Sequence, residues 1–309
     1  HAVRLAGSGR YFGDHRLVTH GSKYCTAGLG LLLSVALILW MPATAAATEI
    51  NVKDDTGLWV HLPRPAQRIV SLSPHLTEML FELGAGDLIV GTVSHSDFPA
   101  RAQRIPRIGD AFSVNVEAVV ELAPDIIIAW QTGGANRALQ KLKSLGYPIY
   151  INEAPSLESI AASARKIARL VGQERRGGEL ADEFLTRLAG LRQRPDRARV
   201  FFQISDENLY TVNRTHLIGQ ALSLCGGANI FAEVSTQVPL VSQESVLSAN
   251  PAVIFYTRLP GDRDGVWVGR WSSMLVDARL IAIDPNVISR PSLRMLDGVE
   301  LICNGIVGN

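Results

Sequence analysis

The chain has 309 residues, of which 47% are hydrophobic and 19% charged, with 30 basic and 29 acidic side chains. This length has room for about two domains, and the apolar content excludes a largely disordered chain. The formal net charge of +1 offers no basic surface of the kind that binds nucleic acid, so no such partner is expected.

Residues 1–47 have the pattern of a secretory signal. Arg16 and Lys23 precede an apolar run at 27–40, and the small residues of 43–47 follow it. The run is shorter than the roughly 20 residues that span a bilayer, although an uncleaved amino-terminal anchor is the alternative. We expect export to the periplasm, cleavage near Ala45 or Ala47, and a translation start within the long lead-in.

Export determines how the cysteines are interpreted. Cys25 precedes the apolar run, so we expect it to leave with the signal and expect no lipid attachment at a cleavage-site cysteine. Cys225 and Cys303 remain, and two cysteines in an oxidising compartment are natural partners. Two buried free thiols are the alternative.

The first half of the mature chain alternates strands and helices. Residues 49–62 alternate in polarity around Asp54-Asp55-Thr56-Gly57, which predicts a β-hairpin. Residues 68–72 predict a strand, and Ser73-Pro74 begins a helix that Gly84 ends. Further strands are predicted at 88–93, 126–130 and 148–151. Strands joined by helices require crossover connections and therefore a parallel sheet.

Residues 156–194 predict helix alone. Two apolar stripes are separated by Gly172, and the second helix, at 174–194, would be about 30 Å long. Gly177-Gly178 should weaken its first turn by roughly 1 kcal/mol per glycine. A regular helix has no soft hinge, so we expect small opening motions, with this glycine pair as the place that would loosen the helix.

The second half repeats the first. Residues 199–204 correspond to 68–72, and 253–257 correspond to 126–130; NVEAVVELAPDIIIAW at 115–130 and SQESVLSANPAVIFYT at 242–257 lie 127 residues apart. The sequence therefore predicts an α/β fold with two Rossmann-like lobes, each with a parallel central sheet, joined by a single long α-helix. The predicted parts are a leader at 1–47, an N-terminal lobe at 48–172, a connecting helix at 173–195 and a C-terminal lobe at 196–309. A ligand cleft is expected between the lobes.

Enzymatic motifs are missing from this sequence. It has no G-x-S-x-G, H-E-x-x-H, phosphate-loop or dinucleotide-binding motif, and the mature histidines do not cluster with the cysteines at metal-ligand spacing. We therefore expect no enzyme, no cofactor and no protein-bound metal. His75, at the carboxyl end of a strand, is a candidate to face the cleft.

Aromatic and amide side chains follow the predicted strands. They include Phe98, Phe112, Trp130 and Tyr210. Flat aromatic walls with few charges suit a large, flat, mostly apolar ligand, whereas taken singly each residue is as readily explained by packing.

Several segments together resemble the periplasmic vitamin B12-binding proteins of bacterial ABC importers, within the helix-linked class of solute-binding proteins. They are RIVSLSPHLTE (68–78), SHSDFP (94–99), LAPDIIIAW (122–130), LCGGANIF (224–231) and VSQE (241–244), and the resemblance includes both cysteines. It implies a monomeric receptor whose ligand, cobalamin or a related corrinoid, carries its own cobalt.

The resemblance also implies a set of contacts in the cleft. Trp130 and Arg290 match directly, whereas His95 stands where the family tends to use tyrosine, Phe112 or Ala111 where a tryptophan would stack, Val238 where another tryptophan would lie, and Asn286 where an aspartate would lie. The implied ligand-binding residues are His95, Phe112, Trp130, Tyr210, Val238, Asn286 and Arg290.

Glu117 and Glu244 occupy the same place in the two repeated segments. Each is predicted at the second position of a short helix, where the helix dipole alone would favour a carboxylate by about 0.3–1 kcal/mol. The resemblance implies that this pair docks on arginines of the membrane permease of an ABC importer.

Three other functions remain as alternatives. The same fold could serve a ferric siderophore or haem, although the sequence offers only Arg290 and Arg258 as cleft arginines. A cleft enzyme would need metal or cluster ligands, and a structural envelope protein would leave the aromatic strand ends unexplained.

Overall fold

The structure, a computed structural model, describes residues 9–10, 12–14, 16–17, 49–110, 112–130, 134–191 and 198–308. The chain divides into two units, 1–46 and 47–309, and every element below belongs to the second. The predicted signal lies almost wholly outside the described residues, as does Ala111. Among the residues described, no helix has both the length and the apolar character that crossing a membrane requires.

The predicted amino-terminal hairpin is present. Strands β1 (Ile50–Lys53) and β2 (Trp59–Leu62) pair in antiparallel register. Asp54 forms the turn, because its Oδ1 accepts the backbone N–H groups of Thr56 (2.9 Å) and Leu58 (2.8 Å).

The N-lobe holds a four-stranded parallel sheet in the order β4-β3-β5-β6. Its strands are β3 (Ile69–Ser71), β4 (Ile89–Thr92), β5 (Ile126–Trp130) and β6 (Ile149–Asn152). Its helices are α1 (Pro74–Glu82), α2 (Val116–Glu121) and α3 (Asn136–Ser144), and short 3₁₀ turns lie at Gly86–Leu88 and Ala100–Arg104.

The C-lobe repeats this arrangement with a second parallel sheet, in the order β8-β7-β9-β10. Its strands are β7 (Arg199–Gln203), β8 (Ala228–Asn229), β9 (Val253–Thr257) and β10 (Arg279–Ile283). Its helices are α6 (Leu217–Leu224), α7 (Gln243–Ala249), α8 (Val266–Met274), α9 (Pro285–Ile288) and α10 (Met295–Val307). The predicted fold of two parallel-sheet lobes is confirmed.

The 127-residue repeat is also a repeat of backbone conformation. Strands β5 and β9 begin and end 127 residues apart. Ala123 and Asn250, separated by the same interval, both adopt positive φ, of 41° and 45°. Each precedes a proline, which disfavours the right-handed helical region for the residue before it and so ends the helix. The repeated sequence thus encodes one helix-turn-strand unit twice.

Two helices separate the lobes along the chain. Helix α4 (Leu157–Leu170) begins with a capping box between Ser156 and Ser159, and α5 (Glu174–Gly190) follows after Gly172, whose φ is +70°. Helix α5 ends at Gly190, earlier than the predicted 194, with Leu191 as its C-cap; residues 192–197 lie outside the described residues.

Gly177 has a packing role that the sequence did not suggest. It is buried, and a Cβ at this position would lie 2.2 Å from the Cβ of Ala168 on α4. The missing side chain therefore permits a close approach of the two helices, whereas a Cβ at Gly178 would meet open space. Packing against α4 thus requires glycine at position 177.

Cys225 and Cys303 form a disulfide, as predicted. The bond joins the C-cap of α6 to α10, with 4.7 Å between the Cα atoms and 78 residues between the cysteines in the sequence. Both cysteines belong to an apolar core that also includes residues of the N-lobe and of α4 and α5.

Reducing this disulfide should lower the free energy of unfolding by about 2–4 kcal/mol, because the bond restricts the unfolded chain over a long loop. Urea unfolding of the protein with and without reductant measures the change. The double variant Cys225→Ser/Cys303→Ser is the control, and its midpoint should not respond to reductant. Equal wild-type midpoints under both conditions would contradict the prediction.

Candidate ligand-binding crevice

Segments that follow strands of the two lobes meet at Arg290, and the predicted ligand crevice is expected beside this contact. Arg290 follows β10 in the C-lobe, and its Nη1 contacts Glu78 on α1 at 2.7 Å and Asp97, beyond β4, at 3.2 Å. Because α1 and Asp97 both follow N-lobe strands, segments after the strand ends of the two lobes meet here. Open parallel sheets bind their ligands at this edge.

Glu78 is the centre of the contact between the lobes. Its side chain is 0% exposed, and its carboxylate accepts hydrogen bonds from Arg290, Ser292 Oγ (2.9 Å) and Arg294 Nη2 (2.8 Å). All three donors belong to the C-lobe. A buried carboxylate is costly unless it is paired and hydrogen-bonded, so Glu78 favours the arrangement that brings the lobes together.

A second carboxyl lies one helical turn from Glu78. Burial, and then the negative charge of Glu78, raise the pKa of Glu82 to about 7, while Arg294 acts in the opposite direction. The Arg294 guanidinium also lies 3.7 Å from the centroid of the Phe98 ring, a cation–π contact across the lobes. The contact between the lobes is therefore rich in charged side chains.

Trp130 forms part of the N-lobe wall. It ends β5, it is half-buried, and its indole N–H donates to Glu153 Oε2 at 3.2 Å. The ring of His75 packs edge-on against it, with 5.6 Å between centroids.

His75 is only 3% exposed, so it supports Trp130 from within the lobe and does not face the cleft. Burial lowers the pKa of His75 to about 4, which keeps its ring neutral at pH 7. Its Nδ1 lies 2.6 Å from Ser73 Oγ. The expectation that His75 could face the cleft is therefore wrong.

The structure brings the segments of His95 and Phe112 together. The N–H of Ser94 donates to Gly109 O at 2.8 Å, and the buried Ser96 accepts from Thr92 Oγ1 at 2.9 Å. Both His95 and Phe112 are exposed, the latter to 79%, and His95 has a φ of +63°. Asp110 accepts the N–H groups of Phe112 (2.8 Å) and Ser113 (2.7 Å), which lowers the pKa of its carboxyl.

In the C-lobe, Tyr210 and Val238 lie on adjoining antiparallel segments. Tyr210 forms a bridge with Leu240, and Thr211 N–H donates to Pro239 O at 3.0 Å. The side chains of Tyr210 and Val238 are 39% and 37% exposed.

Asn286 is a neighbour of Arg290. Its Oδ1 accepts from Arg290 Nη2 at 2.8 Å. In the described part of the chain, this is the one hydrogen bond that joins two of the seven predicted ligand-binding residues. Whether any of the seven contacts a ligand remains a prediction.

Glu117 and Glu244 lie in equivalent helical turns. Asn115 caps α2 by accepting from Ala118 N–H (3.0 Å), and Ser242 caps α7 by accepting from Ser245 N–H (3.2 Å). Each helix leads into the amino end of a strand, so its own first turn lies at the carboxyl edge of the sheet, beside the crevice. Both glutamates are exposed. Hydrogen bonds from its own backbone and from Ser242 lower the pKa of Glu244.

Across the described ranges, no group of three or more His, Cys, Asp and Glu side chains is arranged to hold a metal ion.

Residues 69–266 match the family model described as periplasmic binding protein. The chain belongs to this family. It is 35% identical over 247 residues to the "Vitamin B12-binding protein" of Vibrio cholerae serotype O1, covering 78% of this chain and 89% of that protein. It is 32% identical over 241 residues to the protein of the same name from Yersinia pestis, covering 77% and 85%.

Solved structures agree with this membership. The periplasmic vitamin B12 binding protein BtuF of Vibrio cholerae superposes with a TM-score of 0.72 at 34% identity, covering 79% of this chain and 97% of that one. A periplasmic haem binding protein from Pseudomonas aeruginosa has a TM-score of 0.68 at 20% identity over 79% and 94%, which shows a shared fold alone. The family and these relatives are binding proteins.

Sequence reasoning missed Glu78, Ser292 and Arg294, which join the lobes of this periplasmic binding protein. It named Phe98 as an aromatic residue for the cleft but not its contact with Arg294. One signal was available, because Glu78 lies in the middle of the predicted helix and is followed by the apolar residues 79–81. A carboxylate in such a setting calls for a partner.

Replacing Glu78 by Ala should lower the free energy of unfolding by about 3–5 kcal/mol, because Arg290 and Arg294 would lose their buried partner. Glu117→Ala is the matched control, since it removes an exposed carboxylate and should cost no more than about 1 kcal/mol. Urea unfolding of both variants makes the comparison. Equal losses in the two variants would contradict a special role for Glu78.

Proposed function

We propose that this periplasmic binding protein captures cobalamin or a related corrinoid in the periplasm and delivers it to an ABC importer. The observation that carries the proposal is the 35% identity with the Vibrio cholerae vitamin B12-binding protein, which extends over 78% of the chain. The proposed limits are a signal cleaved near Ala45 or Ala47, an N-lobe at 48–172, a connecting helix at 173–195 and a C-lobe at 196–309. The proposed receptor acts as a monomer, without enzymatic activity and without nucleic acid.

The chemistry of the crevice supports a macrocyclic ligand. Aromatic surface is offered by Trp130 and the exposed Phe112 on the N-lobe and by the half-exposed Tyr210 on the C-lobe, and such surface binds flat, largely apolar rings. His95 and Phe112 are proposed to stack at the rim. Val238 and Asn286 are proposed to line the opposite wall.

The state of the arginines argues against an anionic siderophore. Arg290 is already paired with Glu78 and Asp97, and Arg258 contacts Asp264 at 2.5 Å. Both candidate cleft arginines therefore have their charge compensated within the protein. Haem, which carries two carboxylates, meets the same limitation.

Cyanocobalamin should quench the tryptophan fluorescence of the exported form with a Kd below about 1 μM. Trp130→Ala should weaken binding at least about tenfold, because it removes an aromatic wall. Trp59→Ala is the control, since Trp59 is 60% exposed on the hairpin. Calorimetry with cyanocobalamin, haem and a ferric siderophore measures all three proteins. Tighter binding of haem or siderophore than of cobalamin would replace the proposal by that alternative.

We further propose that Glu117 and Glu244 dock on basic residues of the two permease subunits. Both are exposed, both lie in the first turn of equivalent helices beside the crevice, and neither is needed for packing. Charges at the rim of an interface mainly set orientation and encounter rate.

The double variant Glu117→Ala/Glu244→Ala should keep its cobalamin affinity and lose delivery. Uptake of labelled cobalamin by cells that depend on this receptor, together with calorimetry of the purified variant, separates the two effects. The control is Glu121→Ala/Glu233→Ala, which removes two other exposed acidic residues and should retain uptake. Loss of cobalamin binding in the first variant would show that the glutamates serve the crevice instead.

A further inference from the structure

The repeated fold places two equivalent positions at the strand ends, and the sequence fills them differently. Trp130 is the last residue of β5, and Thr257 is the last residue of β9, 127 positions later. Where the N-lobe has an indole, the C-lobe has a small side chain and a cavity of about 260 Å³. We name this cavity the C-lobe pocket. Its lining residues include Gln203, Tyr256, Thr257, Arg258, Asp262 and Pro285.

The C-lobe pocket lies on the crevice side of the lobe. Gln203 ends β7, Tyr256 and Thr257 end β9, and Pro285 follows β10, so the pocket sits at the carboxyl edge of the sheet. Pro285 is also the sequence neighbour of Asn286, which binds Arg290 at the contact between the lobes. A ligand held against the N-lobe wall would therefore present its opposite side to this pocket.

The pocket offers hydrogen-bond donors and acceptors side by side. The Tyr256 hydroxyl donates to Asp264 Oδ1 at 2.9 Å, and Arg258 Nη1 donates to the same oxygen at 2.5 Å. Asp264 thereby compensates the charge of Arg258. The exposed Asp206, Asp262 and Arg263 also line the pocket and leave one negative charge in excess.

The loop and helix that carry these groups are packed tightly together. A Cβ at Gly265, just before α8, would lie 2.8 Å from the Cβ of Asp206. The indole N–H of Trp267 donates to Glu207 O at 3.4 Å, and Trp267 stacks on the buried Trp271 with 5.2 Å between centroids. The pocket thus has an aromatic base beside its polar rim, held by a buried residue.

We propose that the C-lobe pocket takes uncharged primary carboxamide arms of the ligand and discriminates against carboxylate arms. A primary amide has one acceptor and two donor hydrogens, which matches a rim that mixes Arg and Asp side chains. A carboxylate is an acceptor alone and would face the excess negative charge. Corrinoids carry peripheral carboxamides, whereas haem carries propionates, so the pocket would act as a specificity site. This inference rests on the proposed function.

The first test compares cyanocobalamin with a derivative in which one peripheral amide is hydrolysed to the acid. Wild type should bind the amide at least about tenfold more tightly than the acid. Asp206→Asn/Asp262→Asn, which preserves side-chain shape, should lower that ratio at least about fivefold by relieving repulsion of the acid. The control is Asp277→Asn, because Asp277 is exposed and precedes the amino end of β10, at the opposite edge of the sheet.

The second test asks directly whether the pocket is occupied. Thr257→Trp should fill it with the side chain found at the equivalent N-lobe position, and cyanocobalamin affinity should fall at least about tenfold. Thr257→Val retains the volume and should bind nearly as wild type. If Thr257→Trp does not fold, as thermal melting would reveal, the Asn variants decide alone.

The outcomes separate this inference from the function on which it rests. Wild type that binds no cobalamin overturns both. Wild type that binds cobalamin, with an unchanged amide-to-acid ratio in Asp206→Asn/Asp262→Asn, overturns the inference alone. Loss of the preference in those variants but not in Asp277→Asn supports it.

Discussion

One buried carboxylate belongs to the N-lobe and finds its hydrogen-bond donors in the C-lobe. Glu78 lies on α1, whereas Arg290, Ser292 and Arg294, which donate to it, follow β10. Separating the lobes at this point would leave Glu78 without its three donors and both arginines without a carboxylate, at a cost of several kcal/mol. The same contact turns Arg290 toward Asp97 and Asn286, so it also sets the charge at the contact between the lobes.

Much of the fold could be predicted because local patterns determine its parts. Alternating polarity predicted the hairpin at 50–62, and the repeated N-cap, proline and apolar run predicted equivalent helix-turn-strand units ending at Trp130 and Thr257. These features depend on residues a few positions apart, so they can be recognised without knowledge of the tertiary structure. The parallel connection then follows from the alternation of strands with helices.

The contacts that assemble the crevice were not predictable in this way. Glu78 and Arg290 lie 212 positions apart, and no local periodicity pairs them. His75 has the sequence surroundings of a cleft residue, yet it is buried beneath Trp130, because the direction of a side chain depends on packing between elements. The pocket beside Thr257 is equally hidden from the sequence. It lies beside Thr257, which holds the position in the C-lobe that Trp130 holds in the N-lobe.

Gly177 fixes the distance between α4 and α5 near the beginning of α5. Helix α5 contains 17 residues and is therefore about 26 Å long, with one end held against Ala168 and the other leading toward the C-lobe. A methyl group at the held end must tilt the helix, and a tilt of about 5° displaces the far end by about 2 Å. The relative position of the lobes thus depends on a residue that packs between α4 and α5, away from the strand ends. The width of the opening between the lobes can therefore differ between related receptors without any change in the side chains that line it.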